Sequence, residues 1–231
     1  MDMDVINCSV CGGCNFTETA VLWDSLAAEW QLTSYERAYV DRQQGKTCSN
    51  CRSNLRSIAL ADAIRTVVGT DQTLQAYVTR PEARSLSILE INEAGNLSST
   101  LRRLPGHVLA VYPTVDMHAL PYANNAFDII VHSDTLEHVV NPVHAIAECH
   151  RVLRKRGSLC FTIPTIVGRL TRSRDGLPRS FHGTSQTQTD DFLVQTEFGA
   201  DMWTYVLQAG FSLVTINVVD YPAAIALTAR K

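Results

Sequence analysis

The chain has no run of about 18 apolar residues, and without one no transmembrane helix is predicted. It also lacks a basic region followed by an apolar stretch at its start. Met1-Asp2-Met3-Asp4 is acidic and leads directly into polar, cysteine-rich sequence, which argues against a secretory signal. Excess positive charge is missing too. Lys+Arg 20 against Asp+Glu 23 leaves a formal net charge of -3, so nothing electrostatic favours a nucleic-acid backbone as the main partner. A charged fraction of 19% beside a hydrophobic fraction of 45% excludes disorder over any long stretch. Internal repeats and low-complexity segments are absent. A length of 231 residues accommodates one ordinary α/β domain and a small accessory module, but not two full-sized domains. The expected setting is cytoplasmic and reducing, with no membrane partner.

In that setting clustered cysteines read as metal ligands before disulfides. Five of the seven cysteines lie within the first 51 residues. Cys8-x-x-Cys11 and Cys48-x-x-Cys51 each present two sulfurs from one tight turn, and two such turns facing each other supply the four thiolates of a tetrahedral zinc site. Cys14 is a fifth thiol that either replaces a member of the first pair or sits idle. Four thiolates leave no open coordination position, so the zinc is expected to be structural. Between the pairs, Trp23, Leu26, Ala27, Trp30, Leu32, Tyr35, Ala38, Tyr39 and Val40 follow helix-like spacing. One or two short helices are predicted there, capping the module or closing over a neighbouring cleft. A further helix from Leu55 is predicted to end near Gly69.

From about Ser85 strands and helices alternate. Strands are predicted at Ser87 to Ile91, Val108 to Val111, Phe127 to Val131 and Ser158 to Ile163, with two more around Leu213 to Val219 and Ala224 to Thr228. Helices are predicted at Asn96 to Arg103, Pro142 to Arg154 and Gly199 to Ala209, the last opened by Glu197 to Asp201. This repetition predicts an α/β fold: a Rossmann-like, doubly wound, mostly parallel sheet with ligands at the carboxyl ends of the strands. The predicted organisation is a zinc-ribbon-like module with a helical insertion over residues 1–54, a linking helix and connector over 55–84, and the Rossmann-like domain over 85–231.

Several motifs then stand in a telling order: Leu89-Glu90-Ile91, Asp116-Met117-His118-Ala119-Leu120-Pro121-Tyr122, Phe127-Asp128-Ile129-Ile130-Val131, Leu136-Glu137-His138-Val139, and Glu148 with Arg151-Val152-Leu153 and Gly157. Together they resemble the class I S-adenosylmethionine-dependent methyltransferases of the type 11-like group, and the cysteine module is similar to the zinc-ribbon extension of some bacterial members. The resemblance implies that Glu90 lies near the amino-acid end of S-adenosylmethionine. It implies that Asp116 meets the adenine amino group with Met117 beside the ring, and that His132, Ser133 and Asp134 form the loop beneath the methyl donor. For Glu90 and Asp116 a helix-cap or loop-acid role is the structural alternative.

The family's usual glycine-rich first loop is here Asn92-Glu93-Ala94-Gly95-Asn96, with one glycine. Asparagine tolerates positive φ better than most residues, so Asn92 and Gly95 are expected to form the turn. Tyr112 stands near the place of the missing acid that would end the second strand. The stretch from Gly95 to Asp116 is too short for the usual extra helix and strand, which predicts a shortened sheet.

Methyl transfer requires in-line positioning and, for a hydroxyl acceptor, proton removal. His138 and His182 are the candidate bases or substrate contacts; His118, His132, His144 and His150 read as scaffold or surface. Arg169, Arg172, Arg174 and Arg179, on a loop with Gly168, Gly176 and Gly183, form a candidate clamp for a phosphate or carboxylate, on a segment able to close as a lid. The expected function is methyl transfer to an oxygen or nitrogen of a small, anionic or sugar-like metabolite. Its alternative is a catalytically silent methyltransferase-like protein binding partners through the zinc module.

Overall fold

The structure, a computed structural model, describes residues 7–181 and 190–231. Its elements run β1 (Phe16–Glu18), α1 (Asp24–Glu29), α2 (Ser34–Gly45), β2 (Lys46–Cys48), α3 (Leu55–Val68), α4 (Leu74–Tyr77), β3 (Ile88–Ile91), α5 (Ser98–Leu101) and β4 (His107–Ala110). They continue with β5 (Phe127–Ser133), α6 (Pro142–Val152), β6 (Leu153–Thr162), β7 (Thr165–Ile166), β8 (Arg172–Ser173), β9 (Thr196–Gly199), α7 (Trp203–Gln208), β10 (Leu213–Val219) and β11 (Ala224–Arg230).

Six strands form the central sheet in the order β10-β11-β6-β5-β3-β4. From β4 to β6 neighbouring strands are parallel, while β11 is antiparallel to both β6 and β10. The chain leaves β3 first toward β4 and then crosses to β5 on the other side, so strand order reverses at β3. Crevices at the carboxyl ends beside such a reversal are where open α/β sheets bind ligands. Among the described residues no strand lies beyond β4, in keeping with the shortened sheet expected from the sequence.

Period-two alternation divides the sheet's side chains between two cores. Ile88, Ile129, Val131, Ala224 and Ala226 meet α3 and the N-terminal module on one face. Leu89, Ile91, Ile130, Ile225 and Leu227 meet α6 and α7 on the other. Helix α3 lies against β11, β10 and β6, so the segment read from sequence as a connector is a wall of the main core. It is capped by Asn54, whose side chain accepts the Ser57 N–H, and ends on Gly69 in the left-handed conformation. Helix α2 opens on a reciprocal capping box between Thr33 and Glu36. The Gln43 side chain of α2 donates to the Ala223 carbonyl at 2.7 Å, tying the module to the start of β11.

Some boundaries differ from the sequence expectation. The helix expected over 96–103 is a 3-10 turn followed by the single α-turn α5. Helix α6 stops at Val152 because Leu153 already pairs with Phe127 in the sheet. Glu197 to Gly199 do not open a helix. They form β9, paired with β7 and β8, where a side chain at Gly199 would strike the Arg169 carbonyl at 2.2 Å. No described helix is long and apolar enough to cross a membrane.

Candidate methyl-transfer site

The loop after β3 is built from two left-handed residues, Asn92 at φ 55° and Gly95 at φ 56°. Asn92 is fastened to the end of β4: its N–H donates to the Ala110 carbonyl at 2.7 Å, and its Oδ1 accepts the Tyr112 N–H at 3.1 Å. At Gly95 it is the positive φ that favours glycine, since a Cβ there would meet Ser57 Oγ at an ordinary 3.4 Å. Glu90 sits beneath this loop, wholly buried. Its carboxylate accepts from the Ala94 N–H at 2.8 Å and the Ser98 hydroxyl, and pairs with His107 Nε2 at 2.6 Å. Glu90 therefore shapes the loop from inside, and its oxygens do not face open space. His107, its partner from β4, was not singled out by sequence reasoning.

At the ends of β4 and β5 the expected cofactor residues separate into exposed and buried groups. Asp116 is half exposed, one carboxylate oxygen accepting the His118 N–H at 2.8 Å and pairing with its ring at 2.9 Å. Those hydrogen bonds, with burial opposing, hold its carboxyl below the ordinary range. Tyr112 is exposed beside it. Met117 is instead packed into the α6-side core. His132 is likewise sealed: it stacks on Phe161 at 4.9 Å, neither ring nitrogen has a partner among the described residues, and burial pushes its pKa down to about 3. A neutral ring inside the sheet cannot touch a cofactor, so Met117 and His132 are corrected to scaffold. Ser133, half-buried, shares a 2.8 Å hydrogen bond with the Thr162 hydroxyl.

Beyond Ser133 the chain turns at Asp134, φ 48°, and enters a cavity of about 470 Å³. One end is polar: Arg56 from α3, Asp134, Glu137 and His138. Arg56 Nη1 reaches Asp134 Oδ1 at 2.5 Å. His138 Nδ1 donates to the Leu193 carbonyl at 3.1 Å, and burial lowers its pKa. The carbonyl can only accept, so Nδ1 carries the proton and Nε2 is the basic nitrogen. Glu137 is buried, with neither oxygen hydrogen-bonded among the described residues, and burial followed by the Asp134 charge pushes its carboxyl well above the usual range. The other walls are mostly apolar, with Trp23, Leu26, Trp30 and Leu32 from the N-terminal module, then Ile166 and Phe192; Gln43, Gln44 and Thr165 add polar side chains. The helical insertion between the cysteine pairs thus covers the cleft. Arg56 was missed by sequence reasoning, although a lone cation in an otherwise apolar helix face was a usable signal.

The four loop arginines are placed elsewhere. Arg169 binds Glu36 through Nε at 2.8 Å and also donates to the carbonyls of Trp30 and Gln31. Arg172 and Arg174 converge on Glu197, Arg174 also lying 5.7 Å over the Trp30 ring, and Arg179 pairs with Asp190. None of the four lines the cavity. Each is paired with an acid away from the cavity, and Arg169 and Arg174 form a strap that holds α1 and α2 over it, in place of the expected anion clamp. The Arg169 hydrogen bond is the main reason that the Glu36 pKa falls to about 2. His182 lies outside the described residues.

At the opposite side of the module the sulfurs of Cys8, Cys11, Cys48 and Cys51 all lie within 4.8 Å of one another, with 3.6 Å between Cys8 and Cys51 and between Cys11 and Cys48. A tetrahedron of thiolates at the usual Zn–S distance has edges of about 3.8 Å. Cys14 is exposed and stands outside the cluster.

A family model described as a methyltransferase domain matches residues 51–161, spanning α3, β3 to β5, α6 and nearly all of β6. An uncharacterized 37.1 kDa protein in transposon TN4556 of Streptomyces fradiae is 29% identical over 149 residues, 64% of this chain and 42% of that protein. The chain thus spans less than half the length of that relative. Among solved structures, a SAM-dependent methyltransferase of Thermotoga maritima aligns with TM-score 0.45 and 13% identity, over 88% of this chain and 97% of the other. The 1,6-didemethyltoxoflavin-N1-methyltransferase of Burkholderia thailandensis aligns with TM-score 0.39 and 15% identity, over 74% and 79%. Across α3 and the parallel half of the sheet, residues 51–161 are thus similar to a methyltransferase domain.

Proposed function

We propose that the protein transfers a methyl group from S-adenosylmethionine to an oxygen or nitrogen atom of a small molecule bound in the cavity at the ends of β5 and β6. The observation that carries this reading is position: the cavity begins at Asp134, Glu137 and His138, immediately past the strand-end crevice beside β3. The loop turned by Asn92 and Gly95, together with Tyr112, Asp116 and Ser133, fits the role of holding the cofactor. The fit rests on the left-handed turn made at Asn92 and Gly95 and on an acid left half exposed beyond the end of β4. The cofactor supplies an electrophilic methyl group. The chain's own part is to orient the acceptor, to keep water out with the apolar roof of Trp23, Leu26 and Trp30, and to take a proton at His138.

The four sulfurs favour a structural zinc ion, whose removal would loosen α1 and α2 and with them the roof. Pairing of the loop arginines removes the reason to expect an anionic acceptor. Calorimetric titration with S-adenosylhomocysteine tests the proposal: saturable one-to-one binding is expected, weakened in Asp116→Ala. Absence of binding would favour the silent, partner-binding alternative.

A further inference from the structure

We propose that the cavity takes an organic amine, an ammonium group carried on an apolar body the size of one or two rings, and that Glu137 receives the ammonium. The inference rests on the methyl-transfer reading for its biological sense, but its geometry stands on the cavity alone.

Glu137 is 2% exposed and lines the polar end of the cavity, and neither of its oxygens has a hydrogen bond among the described residues. Every neighbouring charge is already spoken for. Arg56 faces the same space, yet Asp134 holds it at 2.5 Å. His138 Nε2 stands 3.5 Å from Glu137 Oε1, but its Nδ1 donates to the Leu193 carbonyl and burial disfavours its cationic form. Arg169, Arg172, Arg174 and Arg179 are paired with Glu36, Glu197 and Asp190. One carboxyl therefore has no hydrogen-bond donor among the described residues, in a space whose remaining walls are mostly apolar, Trp23, Leu26, Trp30 and Phe192 among them, with Gln43, Gln44 and Thr165 as the polar exceptions.

A buried carboxyl without partners costs stability, and a ligand that supplies both hydrogen bonds and positive charge offsets that cost. A hydroxyl supplies one donor and no charge; an ammonium supplies three donors and the charge. A carboxylate or phosphate ligand would stand against Glu137 and Asp134 together. Burial and Asp134 keep the Glu137 carboxyl protonated well above the usual range, and an ammonium beside it reverses that preference. Binding of an amine therefore releases a proton.

Three indole probes of nearly equal shape separate the alternatives: tryptamine, tryptophol and indole-3-acetate, titrated calorimetrically into the full chain near pH 7. Tryptamine is expected to bind at least about tenfold more tightly than tryptophol, with indole-3-acetate weakest. Its heat should also change between buffers of different ionisation enthalpy, as proton release requires. Glu137→Gln, close to isosteric, should abolish the preference for tryptamine over tryptophol and the buffer dependence. Equal affinities, a preference for indole-3-acetate, or no binding of any probe would overturn the proposal. The wild-type ranking decides by itself should the variant not fold. Because no cofactor is present in these titrations, failure here is distinct from failure to bind S-adenosylhomocysteine.

Discussion

The strap after β6 and the polar end of the cavity are both rich in charge, and they use it oppositely. In the strap each arginine finds a carboxylate: Arg169 with Glu36, Arg172 and Arg174 with Glu197, Arg179 with Asp190. In the cavity Arg56 and Asp134 pair, and Glu137 is left over. The contrast shows that charge density along a chain says little about ligands until the pairing is known. Two of the loop arginines, Arg169 and Arg174, hold the roof, whereas inside the cavity one acid, Glu137, has no hydrogen bond among the described residues.

The largest effect that would break this comparison lies in the module bearing the roof. Cys48→Ser removes one of the four clustered sulfurs, and the account expects loss of bound zinc and of folded α1 and α2, an effect of several kcal/mol. Metal stoichiometry and circular dichroism on the same sample check it. Next comes the strap itself. Arg169→Ala leaves Glu36 largely buried without its partner and should cost about 2 to 3 kcal/mol in denaturant unfolding.

The same pair sets an acid response. The Glu36 pKa is about 2 in the folded chain against an ordinary 4.5, so its contribution is complete above 4.5 and disappears as pH falls toward 2. Wild-type stability should drop through that window more steeply than that of Arg169→Ala, measured by unfolding at pH 5, 4 and 3.

Smaller effects sharpen the cavity side. Asp116→Ala should weaken S-adenosylhomocysteine binding by about tenfold while leaving the melting temperature nearly unchanged, because the side chain is half exposed. Glu137→Gln should raise stability slightly, by about 1 kcal/mol or less, since it relieves a buried acid that no donor meets. A paired arginine lost and an unpaired acid lost thus move stability in opposite directions.

Much of this was legible in the chain. The strands at Ile88, Phe127 and Leu159 follow from short apolar runs, and the paired Cys-x-x-Cys turns follow from spacing alone. The single-glycine loop was readable as well, because Asn92 takes the left-handed conformation that asparagine tolerates. Family motifs were legible as markers more than as roles. Arg151 of the sixth helix clasps Glu148 and donates to the carbonyls of Leu120 and Tyr122, so these motif residues fix the chain between β4 and β5. Glu90 similarly holds its own loop through Ala94, Ser98 and His107.

What remained hidden depends on contacts distant in sequence. Arg169 meets Glu36, Trp30 meets Ser180, and Arg56 meets Asp134, and no local pattern announces such pairs. His132 lies within β5, a strand buried along most of its length, yet only the position of Phe161 on β6 shows what its ring packs against.

The central claim is that cofactor crevice and acceptor cavity are neighbours, each complete without the other. The most direct test is titration of tryptamine into protein already saturated with S-adenosylhomocysteine. The account predicts that both bind together, one of each per chain, and that Glu137→Gln weakens tryptamine while leaving S-adenosylhomocysteine affinity unchanged. Mutual exclusion of the two ligands would contradict it, because the cavity would then be the cofactor's own site.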